Sequence, residues 1–156
     1  MAVFYRWIAA QFVADRTLNE FARDLVAARG RTYVNPPANF WRAVRDTLLR
    51  AEAVAQVFLG VRVACARLHN HTYERCTIDD YYGFVALLAR LDHLVGDNQR
   101  CDILDKHESV GEQVVWQKRD GEVTHGRTKH PAAPRLLGAN SSPLAADADR
   151  LTALAD

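Results

Sequence analysis

Apolar residues recur along much of the chain at steps of three and four, the spacing of one face of an α-helix. A stretch rich in aromatic residues indicates a first helix over residues 3–14, and a capping pattern at Thr17 with a stop at Gly30 indicates a second over residues 18–29. The apolar spacing predicts a third helix over residues 45–68 and a fourth that starts near residue 78. The apolar face of the third helix consists of Val54, Val57, Phe58, Val61, Cys65 and Leu68. That of the fourth consists of Tyr81, Phe84, Val85, Leu88, Leu91 and Val95.

Two of these helices begin with the pattern of a capping box. In this motif a Thr side chain and an acidic side chain three residues later each bond the other's backbone amide. The two pairs are Thr17 with Glu20 and Thr77 with Asp80. Asp79 and Asp80 could also be read as paired catalytic carboxylates. Acids at helix starts are far commoner, so we interpret the pair as structural.

Between and after the helices the pattern is less regular. Consecutive prolines predict a loop over residues 35–39. Residues 112–125 alternate in part and are expected to form a β-hairpin that turns at Asp120-Gly121. Trp116 would cover the core from one of its strands.

The end of the chain changes in composition. Residues 131–147 are rich in Pro, Ala and Ser and predict an extended tail, after which residues 149–156 look like the first turns of a helix. We therefore predict a mainly α fold, with about four helices and a small C-terminal β-hairpin. The helical domain is expected over residues 1–130. The tail and the start of a truncated element follow over residues 131–156.

Composition and charge narrow the class of protein. The 156 residues are 49% hydrophobic and carry a formal net charge of +1, which suits one globular domain and argues against binding of nucleic acid. The most apolar stretch, residues 53–66, is too short and too polar for a membrane span. The N-terminus lacks the basic start of a signal peptide. Three cysteines are no disulfide framework, although Cys65 and Cys76 can bridge in an oxidising compartment.

The candidate chemistry lies in residues 65–71, which read CARLHNH. A c-type haem is attached through C-x-x-C-H, where two thiols one helical turn apart meet one porphyrin edge and the His ligates the iron. Cys65 and His69 have this spacing, and Leu68 stands at the second Cys position. At most one thioether can form. Arg62 and Arg67 could contact the haem propionates, although such residues are more often solvated or paired with acids.

Other interpretations of these residues stay open. Cys65 falls on an apolar helix face, where a Cys is most often a core residue. Together with Cys76, His69 and His71 it could also form a mononuclear metal site, because thiolate and neutral imidazole suit zinc or copper. The spacing is unlike that of the usual zinc modules. His125, near a turn, is most simply a surface residue.

The chain resembles the planctomycete cytochrome C-associated domain, a family of secreted multidomain proteins known as domain of unknown function 1549. The resemblance covers nearly all of the chain. It is carried by residues 16–25, 35–40, 58–65 (FLGVRVAC), 69–71 (HNH), 79–84 (DDYYGF), 111–112, 121–125, 149–150 and 154–155. The family pattern is C-x-x-C-H-N-H-P, and this chain departs from it at Leu68 and Thr72. Cys76 stands where the family is expected to have an aromatic residue, usually Trp.

The resemblance implies an extracytoplasmic domain, periplasmic or secreted, that works with c-type cytochromes in electron transfer. Its expected partner is a cytochrome or the C-terminal domain that usually follows in this family, before which the chain would be truncated. The expected cofactor is a c-type-like haem held by Cys65 and His69. The second ligand of the iron is expected to be another His, with His71 or His93 as candidates, or the position is open to solvent. We do not expect an enzyme. The alternatives are a domain without a cofactor that serves packing or partner contact, with Cys65 and Leu68 in its core, and the His/Cys metal site, holding zinc for example.

Overall fold

A computed structural model describes residues 2–68, 76–95, 111–138, 142–145 and 148–156. Within it the chain forms two compact units. Unit 1 comprises residues 1–45, 91–117 and 155–156, and unit 2 comprises residues 46–90 and 118–154. Among the helices described, none combines the length and the apolar character that a membrane crossing requires. The predicted mainly α fold is confirmed.

Unit 1 contains two helices and a small sheet. Its elements are α1 (Ala2–Val13), α2 (Leu18–Val26), β1 (Gly30–Arg31), a 3₁₀ helix (Pro36–Arg42), β2 (Leu91–Val95) and β3 (Gln113–Gln117). The two helices predicted over residues 3–14 and 18–29 are present as α1 and α2. Thr17 and Glu20 form the predicted capping box, with the Thr17 hydroxyl accepting from the amide of Glu20. Helix α2 ends at Val26, three residues earlier than predicted.

The segment of consecutive prolines is helical, which corrects the prediction of a loop over residues 35–39. Pro36 and Pro37 occupy the first turn of the 3₁₀ helix, where the missing amide hydrogens cost nothing. The buried Asn39 donates to the carbonyls of Thr32 and Pro36. Trp41 is buried and donates its indole hydrogen to the carbonyl of Ala28 at 3.0 Å. The helix is therefore held by side-chain bonds that proline spacing does not reveal.

The sheet differs from the predicted hairpin. Strand β3 lies between β1 and β2 and is antiparallel to both, with His93 opposite Val115 and Gly30 opposite the same residue. The turn at Asp120-Gly121 leads into no paired strand among residues 118–123. Trp116 is 44% exposed, so the prediction that it covers the core is wrong. The buried face is formed instead by residues such as Val115 and Leu91.

Unit 2 is built around one buried helix. Its elements are α3 (Thr47–Phe58), a 3₁₀ helix (Ala64–Arg67), α4 (Ile78–Leu88) and most of α5 (Arg150–Ala155). Every residue from 81 to 88 is buried, whereas Leu91 and Val95, predicted on the same helix, lie in β2. Thr77 and Asp80 form the predicted capping box. The prediction of a helix start near residue 149 is confirmed by α5.

The long helix predicted over residues 45–68 ends at Phe58. Gly60 adopts a φ of +68°, a left-handed conformation that suits glycine and stops a helix. The amides of Leu59 and Val61 both donate to the carbonyl of Ala55 and so satisfy the last turn. The apolar residues after Gly60 keep the helical spacing in the sequence, but residues 61–68 are not in α3 and form no part of its apolar face.

Candidate functional site

Cys65 lies in the 3₁₀ helix Ala64–Arg67, and its thiol is free and exposed. This helix and its flanking residues Val63 and Leu68 are called the turn of Cys65 below. This short helix packs against α4. Val63 and Ala66 are buried, each with 1% of its surface exposed, and they hold the turn in place. The interpretation of Cys65 as a core residue is therefore wrong, because the apolar helix face on which it was placed ends at Phe58.

Leu68 stands where the haem motif has its second Cys, and 81% of its surface is exposed. It adds nothing to a core, which corrects the interpretation that it extends an apolar face. Its amide donates to the carbonyl of Cys65 at 3.3 Å, so the two residues are one 3₁₀ turn apart. The spacing of the two positions in the motif is thus preserved on a solvent-exposed turn.

The two arginines predicted to face a cofactor are both exposed. Arg62 lies just before the turn, and Arg67 is its last residue. The charge of Arg67 is close enough to the Tyr81 hydroxyl to act on the pKa of that group. Both arginines are in unit 2 with Cys65, and their exposure leaves them able to contact an anionic group.

Cys76 has intermediate exposure and lies next to Thr77, the N-cap of α4, and its thiol donates to the carbonyl of Thr77. His69 and His71 lie outside the described residues. Among the residues that the structure describes, no cluster of three His, Cys, Asp or Glu side chains could hold a metal ion. Of the four residues predicted to bind a metal ion, the structure therefore describes Cys65 and Cys76.

The N-terminal end of α4 gathers polar residues that the sequence did not group together. His125 is buried, which corrects its assignment to the surface. Its Nε2 lies 2.9 Å from Asp79 Oδ1, and its Nδ1 accepts from the amides of Arg127 and Thr128, both at 3.2 Å. Because Nδ1 accepts two hydrogen bonds, the proton of the neutral ring is on Nε2. His125 thus fixes the following turn to α4.

Two glycines allow close approaches in the same region. A Cβ on Gly83 would lie 2.7 Å from Arg135 Cγ, and the Arg135 guanidinium forms an ion pair with Asp80. A Cβ on Gly126 would collide with the Tyr82 hydroxyl. Sequence spacing does not reveal either requirement, because in each case the partner is more than 40 positions away.

A second group of charged residues, Arg90, Glu122 and Arg150, lies at the C-terminal end of α4. Arg150 is 4% exposed and donates to the carbonyl of Ala86 at 2.8 Å and to Glu122 Oε1 at 3.0 Å. Arg90 donates to the same carboxylate at 2.7 Å. Burial by itself would raise the pKa of Glu122, but the hydrogen bonds from Arg90 and Arg150 outweigh it and the pKa is lowered.

A buried phenol lies beside the turn of Cys65. Tyr81 has none of its surface exposed and donates its hydroxyl hydrogen to Glu52 Oε1 at 2.7 Å. Burial raises the pKa of Tyr81, and the hydrogen bond to Glu52 raises it further. The phenol therefore stays protonated at ordinary pH. Nothing in the sequence pattern distinguished this Tyr from other core residues of α4.

A family model described as PSCyt2, protein of unknown function (DUF1549), matches residues 1–93 of the 156. The matched region includes the turn of Cys65 and the whole of α4. No curated protein and no solved structure gives a match to the chain.

Proposed function

The chain belongs to the PSCyt2 (DUF1549) family, and from that premise we propose that it is a cytochrome-associated electron-transfer domain. Its candidate haem site is the turn of Cys65. A c-type-like haem would be held there by one thioether to Cys65 and by His69 as axial ligand. Arg62 and Arg67 would bind the propionates.

The observation that carries this proposal is the position of the Cys65 thiol. A thioether requires a sulfur that a flat macrocycle can reach, and Cys65 is free and exposed on a turn whose neighbours Val63 and Ala66 anchor it. The chain departs from the haem motif at Leu68, which is exposed on the same turn. The exposed thiol and the exposed Leu68 support a haem with a single covalent attachment.

A haem supplies one-electron redox chemistry when it is bound. The protein residues would tether it, ligate it and neutralise its carboxylates. The only methionine of the chain is Met1, so we expect the second axial ligand to be a His, with His71 as candidate, or the position to be open. By the same proposal the domain works in the periplasm or outside the cell, with a cytochrome or a C-terminal domain of the same family as its partner.

The test is a reduced pyridine haemochrome spectrum of the protein made together with a cytochrome maturation system. We expect haem that resists acid-acetone extraction, and its loss in Cys65→Ser. The matched control is Cys76→Ser, which removes the other described thiol and should leave attachment intact. Leu68→Cys should restore two thioethers and shift the α-band to shorter wavelength. Absence of covalent haem in the parent protein would contradict the proposal.

A second candidate function is a mononuclear zinc or copper site, and the observation that favours it is that neither Cys65 nor Cys76 forms a disulfide. His69 and His71 would complete the set. Metal analysis of protein purified without chelator tests it. The site is supported if the parent protein holds one metal ion per chain and neither Cys65→Ser nor Cys76→Ser holds any. Less than a stoichiometric amount of metal in the parent contradicts it.

A further inference from the structure

Helix α1 packs on the rest of unit 1 through one of its sides. The Trp7 ring stacks on that of Phe21 in α2, with their centroids 5.3 Å apart, and α1 also contacts the 3₁₀ helix Pro36–Arg42. All the residues of α1 except Arg6 and Gln11 are apolar or aromatic, yet none of them is buried. A helix that is apolar on every side normally has neighbours all around it. The other side of α1 is therefore a candidate interaction surface.

Four residues form a stripe along that other side. They are Ala2, Tyr5, Ala9 and Phe12, which follow one another at steps of three, four and three and so share one helix face. We call these four residues the α1 stripe. Tyr5 and Phe12 are 73% and 72% exposed, and Val13 beside them is 89% exposed. Small and large side chains alternate along the stripe, so it fits a second surface on which the order is reversed.

A second copy of α1 that runs antiparallel has this reversed order. A two-fold axis at the level of Trp7 places Tyr5 opposite Ala9 of the second copy, and it places Phe12 opposite Ala2 of that copy. Each large ring then meets a small residue, so the two helices can approach closely, with knobs that fill holes. A parallel pair would instead set Tyr5 against Tyr5 and Ala9 against Ala9, which produces collisions and gaps in turn.

The area of this surface suits a dimer of modest affinity. An aromatic side chain can bury about 150–250 Å² and a valine about 60–120 Å², so the observed exposures of Tyr5, Phe12 and Val13 leave about 300–450 Å² of apolar area per copy. Because interfaces are about 60% apolar, covering this area on both copies corresponds to a total interface of about 1,000–1,500 Å². Stable interfaces bury about 1,200–2,000 Å², so we expect a dimer that dissociates on dilution.

We propose that the α1 stripe is a homodimer interface, in which the α1 helices of two copies pair antiparallel about a two-fold axis. The interface goes beyond the proposed haem site, because α1 belongs to unit 1 and the turn of Cys65 to unit 2, and pairing needs no cofactor. Arg6 lies beside the stripe, and the two-fold axis brings both copies of it to the same side of the helix pair. Their like charges oppose pairing, so salt, which screens exposed charges, strengthens the dimer.

The experiment is sedimentation equilibrium of the haem-free full-length chain over a wide range of concentration. We expect a reversible equilibrium of monomer and dimer that shifts toward dimer as sodium chloride is added. Ala9→Tyr adds apolar surface but sets two rings against each other, so it should weaken the dimer by about 10-fold. The double variant Tyr5→Ala/Ala9→Tyr exchanges the two residues, places large opposite small again, and should recover association.

Tyr5→Glu should abolish the dimer, and the matched control is Tyr33→Glu, the same change at a 49% exposed Tyr outside α1, which should leave it intact. Circular dichroism verifies that each variant folds. If Ala9→Tyr does not fold, the comparison of Tyr5→Glu with Tyr33→Glu decides by itself. The proposal is overturned by a chain that stays monomeric at all concentrations, or by an Ala9→Tyr variant that associates more strongly, as a non-specific apolar patch would. Binding to anionic phospholipid vesicles without any dimer would also overturn it, because the partner would then be a membrane surface.

Discussion

Replacement of Arg150 by Met tests whether a single buried guanidinium stabilises unit 2. Met is close to Arg in length and fills the site without a charge. The change removes one hydrogen bond to the carbonyl of Ala86 at 2.8 Å and two to the Glu122 carboxylate at 3.0 and 3.3 Å. The Ala86 carbonyl then keeps only the long 3.4 Å bond from the amide of Ala89.

The cost follows from these contacts. A hydrogen bond that involves a charged group contributes about 1.5–3 kcal/mol, and a buried carbonyl left poorly satisfied costs about 1–3 kcal/mol. Loss of the bonds between Arg150 and Glu122 costs less free energy, because Arg90 still donates to Glu122 at 2.7 Å and the Glu122 side chain is 35% exposed. We expect Arg150→Met to lower the free energy of unfolding by about 2–4 kcal/mol, a large share of the about 5–15 kcal/mol of a typical domain.

Urea unfolding followed by circular dichroism at pH 7 measures this loss. The matched control is Arg119→Met, which makes the same chemical change at an exposed position and should alter the free energy of unfolding by less than about 0.5 kcal/mol. Equal urea midpoints for the two variants would refute the argument that the bonds of Arg150 hold the end of α4.

Three further changes probe the same unit. Gly83→Ala should destabilise by about 1–3 kcal/mol in thermal unfolding, because the added methyl meets Arg135; a gain in stability, usual for this change in a helix, would contradict the close approach. Glu122→Gln should flatten the acid dependence of urea unfolding. The lowered pKa of Glu122 contributes stability above the unfolded value of 4.5 that is lost as the pH falls through the folded pKa, and parallel curves for parent and variant would exclude this. Thr77→Ala should cost about 1 kcal/mol in urea unfolding through loss of the α4 cap, with Thr77→Ser as the variant that retains it.

Signals that are complete within a few residues predicted the structure well. The capping boxes at Thr17 and Thr77 need only neighbours in sequence, and the structure confirms both of them and the helices that they open. The helix over residues 45–68 was predicted too long because apolar spacing alone gave no weight to Gly60. Its left-handed conformation ends the helix whatever spacing follows.

Features that depend on distant partners could not be predicted in this way. Strand β3 was identified as a strand near the expected position, but its partners are β1 and β2 rather than the residues after Gly121. A turn signal such as Asp-Gly gives no information about competing strands elsewhere in the chain. The prediction of a surface position for His125 is wrong for the same reason, because its ring packs against Tyr82, 43 positions earlier in the chain.

The same distinction separates the contacts that hold the fold from the residues of the candidate haem motif. The polar contacts around α4 involve Asp79, Asp80, Glu122 and Arg150, and they are complete without any residue of the Cys65 turn. Leu68 is exposed, and a substitution at an exposed position usually changes stability by less than about 0.5 kcal/mol. Stability therefore does not constrain the identity of residue 68. Only attachment of a cofactor would require Cys there, so the spectra of the Leu68→Cys and Cys65→Ser variants report on chemistry separately from folding.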